Sequence, residues 1–172
     1  NLAYRRHFPA INWLISYSLY TDRMESWYEK NISRDFNKYR AEMMRILQEE
    51  SELEEIVRLV GIDALSSKDR VTLEAARSIR EDYLHQDAFH EIDTYATLHK
   101  QFRMLKLILQ YYHMSQDAVK KGVELKNLFS LPVLERIGRA KYISEDKVDE
   151  EFTKIESELT EQMDALIAKE GE

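Results

Sequence analysis

Two histidines and two carboxylates lie close together in the chain and are its best candidates for metal chemistry. Imidazole and carboxylate groups are common zinc donors, and His85, His90, Glu91 and Asp93 supply both kinds. The two histidines are five residues apart, whereas donors on one face of a helix are three or four residues apart. The spacing therefore favours packing or loop roles for these side chains over a metal site.

The sequence lacks the motif that usually binds the phosphates of a nucleotide. A phosphate-binding loop sets glycines and a Lys-Ser or Lys-Thr pair at fixed spacing, so that backbone amides surround the phosphates. Here Gly61, Gly122, Gly138 and Gly171 each stand alone. We also find no nucleophile or acid–base constellation, and no magnesium ligand and water-positioning carboxylate in the arrangement that phosphoryl transfer needs. We therefore expect no catalytic residues in this chain.

Composition limits the class of protein further. The 172 residues carry a formal net charge of −7 and no cysteine, and 44% of them are hydrophobic. An acidic chain is a poor binder of nucleic-acid backbone, and no apolar run is long enough to span a bilayer. Few glycines and prolines, with abundant Glu, Lys, Leu, Ala and Arg, favour helix. The composition predicts a soluble all-α protein that neither binds nucleic acid nor inserts into a membrane.

Apolar residues at three- and four-residue steps predict the helices that must position any site. The longest such run is Phe36–Val60, and it ends at Gly61, a residue that can close a helix with a positive φ angle. Ser66 and Asp69 then form a capping-box pattern. The next helix is therefore expected to begin at Ser66.

Four further helices are predicted from capping residues and apolar periodicity. Asp22 offers a cap for a helix through Trp27, Thr97 precedes a core helix, and Ser144 precedes the last helix. Pro132 suits the first turn of a shorter helix between the last two. Helices of these lengths joined by short connections predict an antiparallel helical bundle.

The first twenty residues do not fit this pattern. Pro9 prevents a helix across the first ten positions and favours extended geometry at Phe8, so a short strand or loop is expected there. The stretch RRHFPAINWLISYSLY, residues 5–20, closely resembles the segment that joins the nucleotide-binding core to the C-terminal helical domain in catalytic A subunits of V-type and archaeal-type rotary ATPases. VGIDALSSKDRVTLEAARSIREDYLHQDAFHEIDTY, residues 60–95, resembles the same family's helical domain, and the similarity covers essentially the whole chain.

This resemblance implies a place within a larger enzyme. Residues 1–20 would be the end of a nucleotide-binding domain and a connector, and residues 21–172 a C-terminal helical domain. The full-length subunit would hydrolyse or make ATP with magnesium in an alternating hexamer with B subunits, and would couple that reaction to ion transport through a central stalk. The enzyme head would lie peripherally on the cytoplasmic side of a membrane. We expect this chain alone to be inactive and to hold no nucleotide tightly, because the catalytic core would lie upstream.

The resemblance also implies a set of nucleotide-contacting residues. In the family, the aromatic residue before the proline packs on adenine, which corresponds to Phe8 and Pro9 here. The second wall corresponds to Ala88 and Phe89, while we expect Tyr95 to lie outside the pocket. Stacking of a base on an aromatic ring contributes roughly 1–3 kcal/mol. The alternative is that these aromatic residues anchor a protein core.

A second implied site lies in the stretch DALSSKD. It occupies the place of the acidic loop that pushes the central stalk in the related F-type beta subunit, but it is less acidic, so contact by shape and backbone is expected. Its residues are Asp63, Ala64, Leu65, Ser66, Ser67, Lys68 and Asp69. The alternative is a capped helix start that faces water.

Two broader alternatives remain open. The five carboxylates of residues 49–55 are expected to form a solvated helix face, or else an acidic surface presented to a basic stalk element. For the chain as a whole, the alternative to a rotary-ATPase domain is a free-standing helical module that binds another protein and has no nucleotide role.

Overall fold

The computed structural model describes residues 21–86, 89–93 and 95–170, and every regular element within those ranges is helical. The all-α class is therefore confirmed for the part of the chain that is described. The α-helices are α1 Thr21–Asn31, α2 Phe36–Val60, α3 Ser67–Ser78, α4 Leu98–Lys120, α5 Leu125–Leu128, α6 Val133–Arg139 and α7 Val148–Glu170. None of these described helices is both long and apolar enough to cross a membrane.

Short turns of other helical types connect or extend these elements. Helix α3 continues directly into a π-helical turn, Ile79–Leu84, and 3-10 turns cover Ile62–Ala64, Ala140–Tyr142 and Glu145–Lys147. The segment from residue 85 to residue 97, which we call the 85–97 loop, joins the π-helical turn to α4.

The turn that joins α2 to α3 contains the helix stop and the capping box that the sequence predicts. Gly61 has a φ angle of 89° and its N–H donates to the Val57 carbonyl at 2.9 Å. The Asp69 N–H donates to the Ser66 hydroxyl oxygen at 3.3 Å, while the Ser66 N–H donates to the Asp69 carboxylate at 3.1 Å. The predicted helix stop and capping box are therefore confirmed.

Helix α4 lies at the centre of the bundle and packs against α2, α3 and α7. The successive helices α3 and α4 run antiparallel, since Gln116 late in α4 donates to the carbonyl of Lys68 early in α3 at 3.0 Å. Helix α7 packs parallel to α4. The two helices have the same direction because α5 and α6 carry the chain back to the end of the bundle at which α4 begins. The buried apolar residues of α4 are Met104, Leu105, Leu107, Ile108, Leu109, Tyr111, Tyr112 and Ala118.

The short helix expected to start at Pro132 is confirmed as α6, for which Pro132 is the N-cap residue. Two other local expectations were wrong. Ser144 makes no side-chain cap hydrogen bond, and a 3-10 turn separates it from α7. Val60 continues the apolar spacing of α2 but is 66% exposed, because the last turns of α2 extend beyond the helices that bury its earlier residues.

Candidate functional site

The 85–97 loop carries the described part of the implied nucleotide site. Phe89 is 99% exposed and Tyr95 is 83% exposed. The other implied nucleotide contacts, Phe8, Pro9 and Ala88, lie outside the described residues. A fully exposed phenylalanine is unusual, because this residue type is normally buried, so Phe89 is a candidate contact for a ligand or another part of the enzyme.

The entry to this loop is held by a lysine from another part of the chain. The π-helical turn ends where the His85 N–H donates to the Arg80 carbonyl at 2.9 Å. The Lys141 ammonium donates to the carbonyl oxygens of Glu81 at 3.0 Å and His85 at 3.3 Å. Carbonyls at a helix end have no partner within the helix, and Lys141 satisfies two of them.

Within the described residues 89–93, His90 makes several contacts. Its Nδ1 accepts hydrogen bonds from the N–H groups of Ile92 at 3.3 Å and Asp93 at 3.4 Å. The imidazole packs on the Tyr142 ring, with centroids 4.4 Å apart, and Asp93 is 2% exposed. His90 therefore serves the loop's own structure, next in sequence to the exposed Phe89.

The exit from the loop is fixed by Thr97, the predicted cap of α4. Its hydroxyl oxygen accepts from the Lys100 N–H at 3.1 Å, which confirms the cap. The Thr97 N–H and hydroxyl donate to the Glu145 carboxylate at 3.2 and 2.8 Å. Both ends of the loop are therefore attached to the chain segment that precedes α7.

Lys100 lies beneath the chain segment that holds both ends of the loop, and the sequence did not predict it as a site residue. It is fully buried, and its ammonium donates to the carbonyls of Lys141 at 2.8 Å and Ile143 at 2.6 Å. Burial lowers the pKa of Lys100, while the nearby Glu145 and Asp93 carboxylates act in the opposite direction. A signal was available, because Lys100 precedes the buried Met104 and Ile108 at four-residue steps.

The structure does not support a metal site at the histidines and carboxylates of residues 85–93. Across residues 21–86, 89–93 and 95–170, no three His, Cys, Asp or Glu side chains come together as metal ligands. His85 is exposed, whereas Asp93 is buried, so the residues that are close in sequence do not converge.

The stretch implied to contact the stalk lies at the reversal between α2 and α3. Arg70 Nη2 donates to the Ile62 carbonyl at 3.1 Å and to the Asp63 carboxylate at 2.7 Å. Leu65 is buried and Asp69 is half-buried in the capping box. The remaining residues of the stretch, Asp63, Ala64, Ser66, Ser67 and Lys68, are exposed.

Four large apolar side chains beside this stretch form a surface that we call the α2 tip. Leu59 is 79% exposed, Val60 66%, Ile62 51% and Ile56 43%. Single exposed apolar residues are ordinary, but a group of neighbours indicates an interaction surface. The apolar spacing of α2 does not reveal this group, because Val60 fits the core face of the helix in sequence.

A buried ion pair joins α2 to the π-helical turn. Arg80 Nη2 lies 2.8 Å from Glu50 Oε1, and Arg80 Nε lies 3.1 Å from both carboxylate oxygens. Glu50 is 7% exposed, so the expected solvated face is wrong for this residue, whereas Glu52 and Glu55 are exposed as expected. The α2 helix thus connects the α2 tip to the element that leads into the 85–97 loop.

Comparison with known proteins identifies the family. Residues 25–129 match the family model described as the C-terminal domain of V and A type ATP synthase. The chain belongs to this family. The expected resemblance is confirmed, and the match includes α2, α3, the 85–97 loop and α4.

Curated relatives of the V and A type ATP synthase family match almost the whole chain. A V-type ATP synthase alpha chain of Acetivibrio thermocellus is 66% identical over 170 residues, or 99% of this chain. Those of Clostridioides difficile and Thermoanaerobacter pseudethanolicus are 54% and 58% identical over 99% and 96% of this chain. The chain spans only 28–29% of the length of these relatives.

Proposed function

We propose that this chain forms the adenine side of the nucleotide pocket in the catalytic subunit of a rotary ATP synthase and transmits conformational change to a central stalk. Residues 1–20 would complete the nucleotide-binding domain, and residues 21–172 would be the C-terminal helical domain. The full-length subunit would hydrolyse or make ATP with magnesium, within a hexamer with B subunits. That head would lie peripherally on the cytoplasmic side of a membrane and drive ion transport.

The observation that carries the nucleotide role is the 99% exposure of the Phe89 side chain, next in sequence to His90, whose imidazole is hydrogen-bonded and packed on Tyr142. A large apolar side chain that is accessible at the surface loses its contact with water when a ligand covers it, which favours binding. The chain supplies an aromatic ring but no phosphate-binding loop, which fits contact with the adenine end of the nucleotide. Stacking would then contribute roughly 1–3 kcal/mol.

Substitution of the two aromatic residues in the full-length subunit tests this role. Phe89→Ala and Phe8→Ala should each weaken ADP or ATP binding about 5- to 150-fold, the equivalent of one stacking contact. Tyr95→Ala is the matched control, since Tyr95 is exposed on the same loop and should leave affinity unchanged. Unchanged affinity in Phe89→Ala, or a Phe8→Ala variant that loses thermal stability while keeping its affinity, would contradict the proposed contact.

The α2 tip supports the stalk role more directly than the charged stretch does. Desolvation of apolar side chains stabilises a protein contact by about 25 cal/mol per Å², whereas exposed ion pairs contribute about 0–1 kcal/mol. Asp63 is already paired with Arg70. We therefore assign the residues 63–69 a role in shape and backbone contact, with the neighbouring apolar side chains providing most of the affinity.

The stalk role is tested by comparing apolar and charged substitutions in the assembled complex. Leu59→Ser combined with Ile62→Ser should lower the affinity of the head for the stalk and uncouple ATP hydrolysis from ion transport. Asp63→Asn combined with Lys68→Gln is the control and should change both measurements little. The opposite ranking, with strong salt dependence of stalk binding, would favour charge recognition by this end of the bundle.

A further inference from the structure

We propose that Arg70 and Arg80 position the α2 tip for its contact with a protein partner. This inference rests on the proposed stalk role of the tip and adds the residues that set its place. The two arginines belong to one continuous helical element, since α3 runs directly into the π-helical turn. One of them binds α2 before the tip, and the other binds the turn that follows α2.

Arg80 holds α2 on the N-terminal side of the tip. Its guanidinium binds the Glu50 carboxylate through two nitrogens, with Nη2 2.8 Å from Oε1 and Nε 3.1 Å from Oε2. A guanidinium that pairs with a carboxylate through two nitrogens fixes orientation as well as distance. Glu50 comes six residues before Ile56, the first residue of the tip. The pair therefore sets how α2 lies against the π-helical turn just before the tip begins.

Arg70 holds the chain on the other side of the tip. Its Nη2 donates to the carbonyl of Ile62, itself a tip residue, at 3.1 Å and to the Asp63 carboxylate at 2.7 Å. The Asp63 side chain is 97% exposed, so this ion pair contributes little, and the bond to the Ile62 backbone carries the positional effect. Ile62 follows Gly61, where the chain reverses. Arg70 therefore fixes this reversal against α3.

The tip is thus presented by a backbone that is restrained on both sides. Ile56, Leu59 and Val60 are 43%, 79% and 66% exposed, so the packing of their own side chains holds them in place only weakly. Ordering a mobile segment on binding costs free energy, and restraint that exists beforehand removes part of that cost. We therefore expect the two arginines to raise the affinity of the tip for its partner.

Arg77 provides a matched control on the same helical element. It lies between Arg70 and Arg80 in sequence, and its guanidinium donates to Glu74 at 3.1 Å and to Glu81 at 2.9 Å. Both of these glutamates belong to the element that carries Arg77 itself. Replacing Arg77 by methionine therefore removes a guanidinium without releasing α2 or the turn after it.

The position of the tip can be measured in the full-length subunit as the distance between two spin labels. One label is placed at Arg58→Cys, because Arg58 lies between the tip residues Ile56 and Leu59 and its side chain is 70% exposed. The other is placed at Lys121→Cys, an exposed site at the C-terminal end of α4. Any other cysteine of the subunit is replaced first. The distance distribution records where the tip lies relative to the bundle and how widely it moves.

Two sets of substitutions should release the tip. Arg70→Met removes the bond to Ile62. Glu50→Met combined with Arg80→Met, the double methionine variant, removes both partners of the buried pair, and apolar replacement of both partners often costs little stability. Each should shift or broaden the distance distribution and raise the Kd of the assembled head for the stalk about fivefold. Arg77→Met should change neither measurement.

A further combination shows whether the arginines act through the tip. In a Leu59→Ser/Ile62→Ser background, Arg70→Met should weaken stalk binding little further, because residues that act through one another are not additive. Fully additive losses would overturn the inference, as would an unchanged distance distribution in either Arg70→Met or the double methionine variant. Weaker stalk binding without a change in the distance distribution would also overturn it, by assigning the arginines a purely structural role.

The stalk role and the positioning role fail in different ways. If Leu59→Ser/Ile62→Ser leaves stalk affinity unchanged, the stalk contact fails, and with it the effect of the arginines on stalk binding. If that variant weakens stalk binding but Arg70→Met and the double methionine variant do not, only the positioning role is lost.

Discussion

Replacing Glu50 by alanine should destabilise the chain more than the same replacement at any of the other four glutamates in the acidic stretch of α2. The Glu50 side chain is 9% exposed, and its carboxylate is held by two nitrogens of Arg80, whose side chain is 32% exposed. Removing one partner of a buried ion pair costs about 3–5 kcal/mol. Water can reach part of Arg80 and recover some of that loss, so we expect a decrease of about 2–3 kcal/mol in the free energy of unfolding.

Urea unfolding of the 172-residue chain, followed by circular dichroism, measures this decrease. Glu55→Ala is the matched control, since Glu55 lies on the same helix, is 72% exposed and pairs with Arg58 at 3.9 Å; it should cost less than about 0.5 kcal/mol. The double variant Glu50→Ala/Arg80→Ala should cost less than the sum of the two single variants. Equal costs for the two glutamate variants, or strict additivity in the double variant, would refute the stabilising role of this pair.

Three further predictions concern the core, the pH profile and nucleotide binding. Phe152 is fully buried, so Phe152→Ala should lower the free energy of unfolding by about 3–5 kcal/mol in the same urea assay; a cost below that of Glu50→Ala would count against it. Burial raises the pKa of Asp82 above its ordinary value of 3.8, so the folded chain holds that proton more tightly, and the contribution of Asp82 to the unfolding free energy should fall as pH rises through the interval just above 3.8. Asp82→Asn should remove this contribution, measured as the difference between the two chains in urea unfolding at several pH values, and a difference that does not change with pH would be the contrary result. Calorimetric titration of the 172-residue chain with ATP should detect no micromolar binding, since the phosphate contacts are missing, and micromolar affinity would overturn that expectation.

Features encoded by neighbouring residues were predictable from the sequence. The positive φ angle at Gly61, the capping box at Ser66 and the cap at Thr97 each depend on residues within four positions of one another. Local chemistry decides such features, and all three were confirmed. The family was likewise identified from contiguous stretches of sequence, on which the resemblance rested.

Features that depend on distant parts of the chain were not predictable. Glu50 is buried because Arg80, 30 residues away, neutralises it, and the acceptors of Lys100 are 41 and 43 residues away. The π-helical turn has no glycine or proline to mark it. Val60 is the opposite case, since its spacing matches the core face but its side chain is 66% exposed.

The exposed end of α2 offers a place for a spectroscopic label. The chain contains no cysteine, so Glu55→Cys would introduce its single thiol on a turn where the native side chain is 72% exposed. A spin label or fluorophore attached there would lie beside the α2 tip without replacing any of its four apolar residues. If this end of the helix moves against a central stalk as proposed, the distance from such a label to a second label on the stalk should differ between nucleotide states.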